Sequence, residues 1–335
     1  MSTISDVARL AGVSTATVSR VLNGYEHVSN DTAVRVTEAI EQLGYAPNAM
    51  AKSLRTLKSS RIIVTVPDIA NPFFASIIRG AEEAAQAAGY AVLLGDVGSH
   101  PDSEEVYAGL LRRREADGLI FLGHHIPDSL AEMVERRGAA APVVNGCEYT
   151  DTMPVSSVHI DNVAAARQVM DHLYGLGHKT VGVVTGDMSS PISRDRLKGA
   201  EDSATAHGLK GGLTVVSGDY SIGSGAQLTA ALMAKTPRPT AIFCFSDDMA
   251  YGACHTLRET GLDCPRDVSV VGFDDIASSR FAAPPLTTVR QPMREIGVKT
   301  VELLIDILER GASRRVNLTL PHELVLRAST AAPRT

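Results

Sequence analysis

The chain has 335 residues, enough for two to three domains, with 44% apolar residues, 21% charged residues and a formal net charge of −6. No apolar run approaches the roughly 18 residues of a membrane helix, and the polar N-terminus lacks a secretory pattern, so a cytoplasmic chain with no membrane partner is expected. Cys147, Cys244, Cys254 and Cys264 form no Cys-x-x-Cys pair and no zinc-finger spacing; reduced, mostly buried thiols are expected, with no metal and no cofactor.

Two short helical patterns come first, within residues 5–24, SDVARLAGVSTATVSRVLNG. Thr3 and Asp6 make a capping-box-like start. Gly12 is a natural left-handed stop, and Ser14 can cap the next helix on the Thr17 amide. Val7, Ala8 and Ala11 give one apolar face, and Val18, Val21 and Leu22 the other. Thr15, Ala16, Thr17, Ser19 and Arg20 stay on or near the outer face. A third helix fits 30–43, capped by Ser29, striped by Val36, Ile40 and Leu43, and stopped by Gly44. The three helices read as a helix-turn-helix placing its second helix in the DNA major groove, or as a helical cap on a larger domain. Residues 1–60 hold six Lys/Arg and five Asp/Glu, while the remainder carries 26 Lys/Arg against 33 Asp/Glu. Positive charge is local instead: Lys52, Arg55, Lys58 and Arg61 follow one another with no acid between them, the clustering that phosphate contact requires.

Asp6-Val7-Ala8, Ala11-Gly12-Val13-Ser14, Thr17-Val18-Ser19-Arg20 and Leu22-Asn23 follow one recurrent pattern, which continues into Val28-Ser29, Thr32 and Gly44-Tyr45-x-Pro47-Asn48. This stretch resembles the N-terminus of the lac-repressor (LacI/GalR) family of transcription regulators. The resemblance implies that Thr15, Ala16 and Arg20 meet base edges, and arginine can bond guanine bidentately. Thr17, Ser19, Asn23 and His27 fit phosphate contacts, which set register rather than sequence. Residues 1–46 would form the DNA-binding head. Residues 47–60 resemble the family's hinge helix, with Asn48 able to cap it; two to three turns are marginal in water alone. Leu54 stands where the family pushes a leucine into the minor groove, a wedge that kinks DNA. Without the resemblance, the same stretch reads as a solvated linker whose leucine packs on the body.

Beyond residue 60, β-branched runs alternate with helical patterns. Strands fit 62–66, 91–95, 118–122, 143–145, 157–160, 180–185, 213–217, 241–245 and 269–272. Helices fit 74–88, 102–115, 129–137, 162–176, 193–207, 224–235, 248–260 and 293–310. The rhythm predicts an α/β class of parallel sheets with helices on both faces, in two lobes. Ligands in such sheets sit beyond the carboxyl ends of the strands. Those ends carry Asp68 to Phe74, Gly123-His124-His125, Asn145-Gly146-Cys147-Glu148, Asp161, Asp187, Asp219-Tyr220, Asp247-Asp248 and Asp274-Asp275. Asp102, Asp161 and Asp248 each precede a helix, so capping competes with ligand contact for each.

The body also resembles the family at Phe73-Phe74, Leu176-Gly177-His178-Lys179, Arg194-Asp195-Arg196-Leu197-x-Gly199, Gly272-Phe273-Asp274-Asp275 and Pro285-Leu286-Thr287-Thr288-Val289. This implies a two-lobed, periplasmic-binding-protein-like effector-binding and dimerisation domain over 61–330. Its crossovers would fall near 160, 289 and 320, giving one lobe from about 61–159 and 290–319 and the other from about 160–288 and 320–330. By family position Phe73 and Phe74 would flank the effector, Arg196 would bond it and Asp274 would accept from it. Tyr220, Asp161 and Asp247 are further candidates. Val66-Pro67-Asp68-Ile69, Val158-His159-Ile160-Asp161-Asn162 and Pro284-Pro285-Leu286 are most like the cytidine-repressor branch, which implies a nucleoside or sugar effector. The implied partners are a pseudo-palindromic double-stranded DNA operator and a second copy of the chain, whose two-fold symmetry matches the two half-sites.

The alternative is an enzyme acting on a nucleoside or sugar in an α/β cleft. Gly223-Ser224-Gly225 begins a dinucleotide fingerprint, but Leu228 stands at its third glycine. His124-His125 with Asp128 lacks metal-ligand spacing, and no nucleophile elbow or Walker loop is present. No catalytic residue is therefore assigned.

Overall fold

A computed structural model describes residues 2–22, 25, 27–46, 58–98, 102–125, 127–149 and 155–334. The chain divides into two compact units, Met1–Ser59 and Ser60–Thr335.

The first unit contains α1 (Ile4–Ala11), α2 (Thr15–Leu22) and α3 (Asn30–Leu43). Thr3 Oγ1 accepts from the Asp6 amide at 3.3 Å, and the Asp6 carboxylate accepts from the Thr3 amide at 3.0 Å, a reciprocal capping box. Gly12 is left-handed, with φ 65° and ψ 38°, a conformation in which a Cβ would clash. Ser14 Oγ accepts from the Thr17 amide at 3.1 Å, and Ser29 Oγ from the Thr32 amide at 3.4 Å. Val7, Ala8, Ala11, Val18, Val36 and Ala39 form the core, with Val21, Ile40 and Leu43 partly buried around it. Leu22 differs from expectation and is 37% exposed. Val18 is the buried residue of α2 and Val21 is half-buried, while Leu22 is the helix's last residue.

The second unit holds two six-stranded sheets. The first contains β1 (Arg61–Val66), β2 (Ala91–Asp96), β3 (Gly118–Phe121), β4 (Val143–Gly146), β5 (Ser156–Ile160) and β11 (Asn317–Leu320). Its order is β2-β1-β3-β4-β5-β11, parallel throughout. The second contains β6 (Val181–Thr185), β7 (Leu213–Ser217), β8 (Ala241–Cys244), β9 (Ser269–Asp274), β10 (Thr287–Arg290) and β12 (Glu323–Val325). Its order is β7-β6-β8-β9-β10-β12, with β12 alone antiparallel. Both sheets thus repeat one doubly wound order, whose reversal beside the first strand opens a crevice at the carboxyl edge. The chain crosses between the sheets after β5, after β10 and after β11. β10, β11 and β12 have no counterpart among the sequence-predicted strands. They are three or four residues long, with polar residues breaking their few leucines and valines, so no long apolar run marks them.

Strand alternation sorts the first lobe's core. Ile62, Val64, Val66, Ile120 and Val144 face one layer, and Ile63, Leu119, Phe121 and Val143 the other. Helices α4 (Pro72–Ala87) and α11 (Met293–Arg310) pack on the first layer, and α5 (Ser103–Arg112) and α6 (Asp128–Arg137) flank the second. Helices α7 (Asn162–Gly175), α8 (Pro191–Ala206), α9 (Ile222–Met233) and α10 (Asp247–Glu259) cover the second sheet. Cys147 and Cys244 are buried, while Cys254 and Cys264 are half-buried, and all four are free thiols.

Paired helices approach closely at glycines. A Cβ on Gly297 would lie 2.0 Å from the Ile77 carbonyl oxygen, one on Gly199 2.2 Å from that of Val163, and one on Gly252 2.1 Å from that of Ile222. Side-chain ridges cannot separate the backbones there. Gly297→Ala should therefore force α4 and α11 apart and cost about 1–3 kcal/mol, read as a lower denaturant midpoint. An unchanged midpoint would show that the two helices part freely.

Candidate functional site

In the first unit, Thr15, Ala16 and Arg20 are exposed along α2, and Thr17 and Ser19 are half-buried. Thr17 Oγ1 lies 2.9 Å from Ser14 Oγ, so its hydroxyl belongs partly to the cap. His27 is exposed beyond α2, edge-on to Tyr25 with ring centroids 6.4 Å apart. Asn23, Leu54 and residues 47–57 of the expected hinge helix lie outside the described residues.

In the second unit, the carboxyl edges of the two sheets enclose a cavity of about 290 Å³. Phe73, Phe74, His124, Cys147 and Glu148 reach it from the first lobe; Asp187, Arg196, Tyr220, Asp248 and Asp274 reach it from the second. Five of the seven sequence-predicted effector residues therefore meet around one space: Phe73, Phe74, Arg196, Tyr220 and Asp274. Asn71 caps α4 by accepting from the Phe73 amide at 2.9 Å. This sets Phe73 and Phe74 at the cavity with ring centroids 5.2 Å apart and planes at 70°, an apolar wall against which a ring can stack.

Asp161 and Asp247 do not line the cavity. Asp161 is the α7 N-cap, its carboxylate accepting from the Ala164 amide at 2.9 Å, so its side chain turns to the helix start. Asp247 is fully buried within the second lobe and accepts from the Ile276 amide at 2.9 Å, Ser279 Oγ at 2.5 Å and Thr288 Oγ1 at 2.6 Å. Burial pushes its carboxyl up to about 7. Capping expectations differ at two further acids. Ser246 caps α10, leaving Asp248 at the cavity, and Asp102 makes no side-chain cap on α5.

Arg196 is 2% exposed. It donates from Nε to Asn162 Oδ1 at 2.8 Å and from Nη1 to the Phe245 carbonyl at 2.7 Å. Its guanidinium carbon lies 3.7 Å from the Phe273 ring centroid. Asp274 has φ 115° and receives Gln291 Nε2 at 2.8 Å; burial drives its carboxyl well above the usual range, against the pull of Arg196. Tyr220, at φ 69°, bonds Ser193 Oγ at 2.5 Å, and burial pushes its phenol up to about 12. Gly186 makes room for it, since a Cβ there would lie 1.9 Å from the tyrosine ring.

His124 and Glu148 carry a role that strand-end position alone left unassigned. His124 Nδ1 lies 3.4 Å from Glu148 Oε2, and its Nε2 lies 3.0 Å from Ser189 Oγ across the cleft. Ser190 Oγ donates to Glu148 Oε2 at 3.0 Å, and Tyr149 Oη to Asp195 Oδ2 at 2.7 Å. Three polar contacts thus join the lobes at the cleft's rim. The Glu148 hydrogen bond raises His124 above its ordinary 6.5, against desolvation.

A helix-turn-helix unit followed by two α/β lobes around a ligand-sized cleft defines an effector-responsive DNA-binding protein. Residues 3–48 match the family described as bacterial regulatory proteins, lacI family, and residues 170–330 the periplasmic binding protein-like domain. The chain is 36% identical over 332 residues to the HTH-type transcriptional repressor CytR of Escherichia coli (strain K12), spanning 99% of this chain and 97% of that one. The lac repressor dimer bound to operator and the anti-inducer ONPF has a TM-score of 0.88 at 32% identity, covering 99% of each chain. The transcriptional regulator CelR in complex with cellobiose has a TM-score of 0.74 at 32% identity, covering 98% of this chain and 100% of that one. The chain belongs to the lacI family of bacterial regulatory proteins. Among the described residues, no three metal-ligating side chains gather as an ion site, and no helix is long and apolar enough to cross a membrane.

A histidine raised by a carboxylate favours the conformation that pairs them at pH below 6.5, and that contribution fades as pH rises through the raised value. The Asp187 carboxylate of the opposite lobe adds to that rise, and this share of it depends on closure, so lobe closure should weaken through that window, read as interlobe distance by fluorescence transfer between dyes on the lobes. In His124→Gln the pH dependence should vanish. Its persistence there would assign it to another group.

Proposed function

We propose that the chain is a transcriptional repressor acting as a homodimer in the cytoplasm, with operator affinity controlled by a nucleoside or sugar held between its lobes. One observation carries the reading: an exposed α2 face bearing Arg20 precedes, in one chain, a cleft that gathers Phe73, Phe74, Arg196, Tyr220 and Asp274. The operator-bound lac repressor dimer and the cellobiose complex of CelR support the same division of labour. The relatives are named as regulators, which favours binding over turnover.

In this mechanism α2 of each protomer enters a major groove, with Arg20 on a base edge and Thr15 and Ala16 beside it. Thr17, Ser19, Asn23 and His27 hold phosphates, and Leu54 of each hinge wedges the minor groove between the half-sites. The effector's ring lies on Phe73 and Phe74, its polar groups on Arg196, Asp274 and Tyr220. Effector and operator each favour one lobe arrangement, so each changes the other's affinity by one common factor.

Operator selected from random duplexes with the full chain supplies the assay. Arg20→Ala should lose about 1–3 kcal/mol on the selected site and relax preference at one position. An equal loss on every sequence would make Arg20 a phosphate contact. Asp274→Asn, which keeps an acceptor for Gln291, should weaken effector binding by about 10-fold or more. Equal effector affinity with and without operator would remove the coupling, and turnover of the bound compound would overturn the regulatory reading.

A further inference from the structure

We propose that the cleft selects an uncharged or cationic effector rich in hydrogen-bond donors and rejects the phosphorylated or carboxylated form of the same compound. The proposal rests on the reading of the cleft as the effector site. Six carboxylates line it, Asp68, Glu148, Asp187, Asp219, Asp248 and Asp274, against two side chains able to carry positive charge, Arg196 and His124.

Both cations are already engaged by the protein. Arg196 commits Nε to Asn162, Nη1 to the Phe245 carbonyl and its face to Phe273. Among the described residues, only its Nη2 is left without a hydrogen bond. His124 faces Glu148. The acids are less fully engaged. Asp274 and Glu148 are 7% and 8% exposed. Asp274 accepts from Gln291 through Oδ1, and Glu148 meets Ser190 and His124 through Oε2. Asp274 Oδ2 and Glu148 Oε1 have no hydrogen-bond partner among the described residues. Both oxygens belong to buried side chains that line the cavity, where the donors of a ligand can meet them.

Asp187 and Asp219 stay anionic at the rim. The Ser189 amide holds the first below the usual carboxylate range, and the Ser221 hydroxyl and amide hold the second there. Their oxygens accept those amides at 2.8 and 2.9 Å. Burial raises Asp248 and Asp274 toward the neutral acid, yet the other four acids still outnumber Arg196 and His124 between low-dielectric walls, where Coulomb terms are strong and field lines are focused. A phosphate or carboxylate on the ligand meets that excess; hydroxyls or an amine meet open acceptors.

The test is calorimetry of the full chain with matched pairs: cytidine, adenosine, ribose and glucosamine against their phosphate monoesters. At low salt, the unphosphorylated member of a binding pair should bind about 100-fold or more tightly than its ester. The gap should narrow at high salt and in the Asp187→Asn/Asp219→Asn variant, whose amides keep both loop hydrogen bonds. An ester binding as tightly as its parent overturns the proposal and leaves the effector cleft standing. Binding of a parent compound that Asp274→Asn does not weaken overturns the cleft as the site. Binding by no pair overturns both.

Discussion

One buried guanidinium ties the second lobe together where its strands end. Arg196 comes from α8, bonds the start of α7 through Asn162 and the chain beyond β8 through the Phe245 carbonyl, and sits over the Phe273 ring of β9. A buried cation is tolerated only when its donors and its charge are both met. Two hydrogen bonds, an aromatic face and the neighbouring Asp274 supply that here. The consequence for ligand binding is direct. The same contacts that allow Arg196 to be buried fix its orientation, so it lines the cleft without loss of side-chain freedom on binding. Removing Asn162 or shifting Phe245 would therefore disturb recognition without touching a ligand.

The backbone around this cation is bent in the same service. Cys147, Tyr220 and Asp274 all have positive φ, at 57°, 69° and 115°, and all three line the cavity. Non-glycine residues in this region cost free energy, and they persist where surrounding structure enforces them. Gln291 enforces it at Asp274, through its side chain to Oδ1 and its amide to the carbonyl at 3.3 Å. Ser193 and the space left by Gly186 enforce it at Tyr220. The bends turn side chains inward at strand ends where an extended chain would carry them along the sheet.

These bends also mark where sequence reading stops. Short apolar runs expose β1 to β9, because strands buried on both faces are nearly continuous in Val, Ile and Leu; β1 is buried from Ile62 to Val66, whereas no such run marks β10, β11 and β12. Strand ends are legible as well, and with them the neighbourhood of the site. Which acid of a pair faces the cleft is not legible. Asp247 and Asp248 are adjacent, yet three donors from Ile276, Ser279 and Thr288 draw Asp247 inward while Asp248 reaches the cavity. In the next pair the order reverses: Asp274 lines the cavity, and Asp275 is held by Arg290 and Arg327 at 2.7 and 2.6 Å. Those donors lie between 15 and 52 residues away in sequence, so no local pattern records them. His124 and Glu148 escape for the same reason, since their partners Ser189 and Ser190 belong to the opposite lobe.

What joins the lobes decides how the molecule can switch. Beyond the three crossovers, the rim contacts are polar: His124 with Ser189, Glu148 with Ser190, and Tyr149 with Asp195. Net contributions of such bonds are about 1 kcal/mol each, because water replaces them when the lobes part. The apolar clusters are confined to each lobe, apart from Ile160 at the first crossover, so opening exposes little apolar core. Closed and open forms therefore differ by a few kcal/mol at most, a gap that a ligand touching both lobes can overcome. The cleft meets that condition, with Phe73 and Glu148 on one side and Arg196 and Asp274 on the other. Rigid glycine-packed lobes confine the response to the angle between them, which makes occupancy of a small cavity a movement of whole domains.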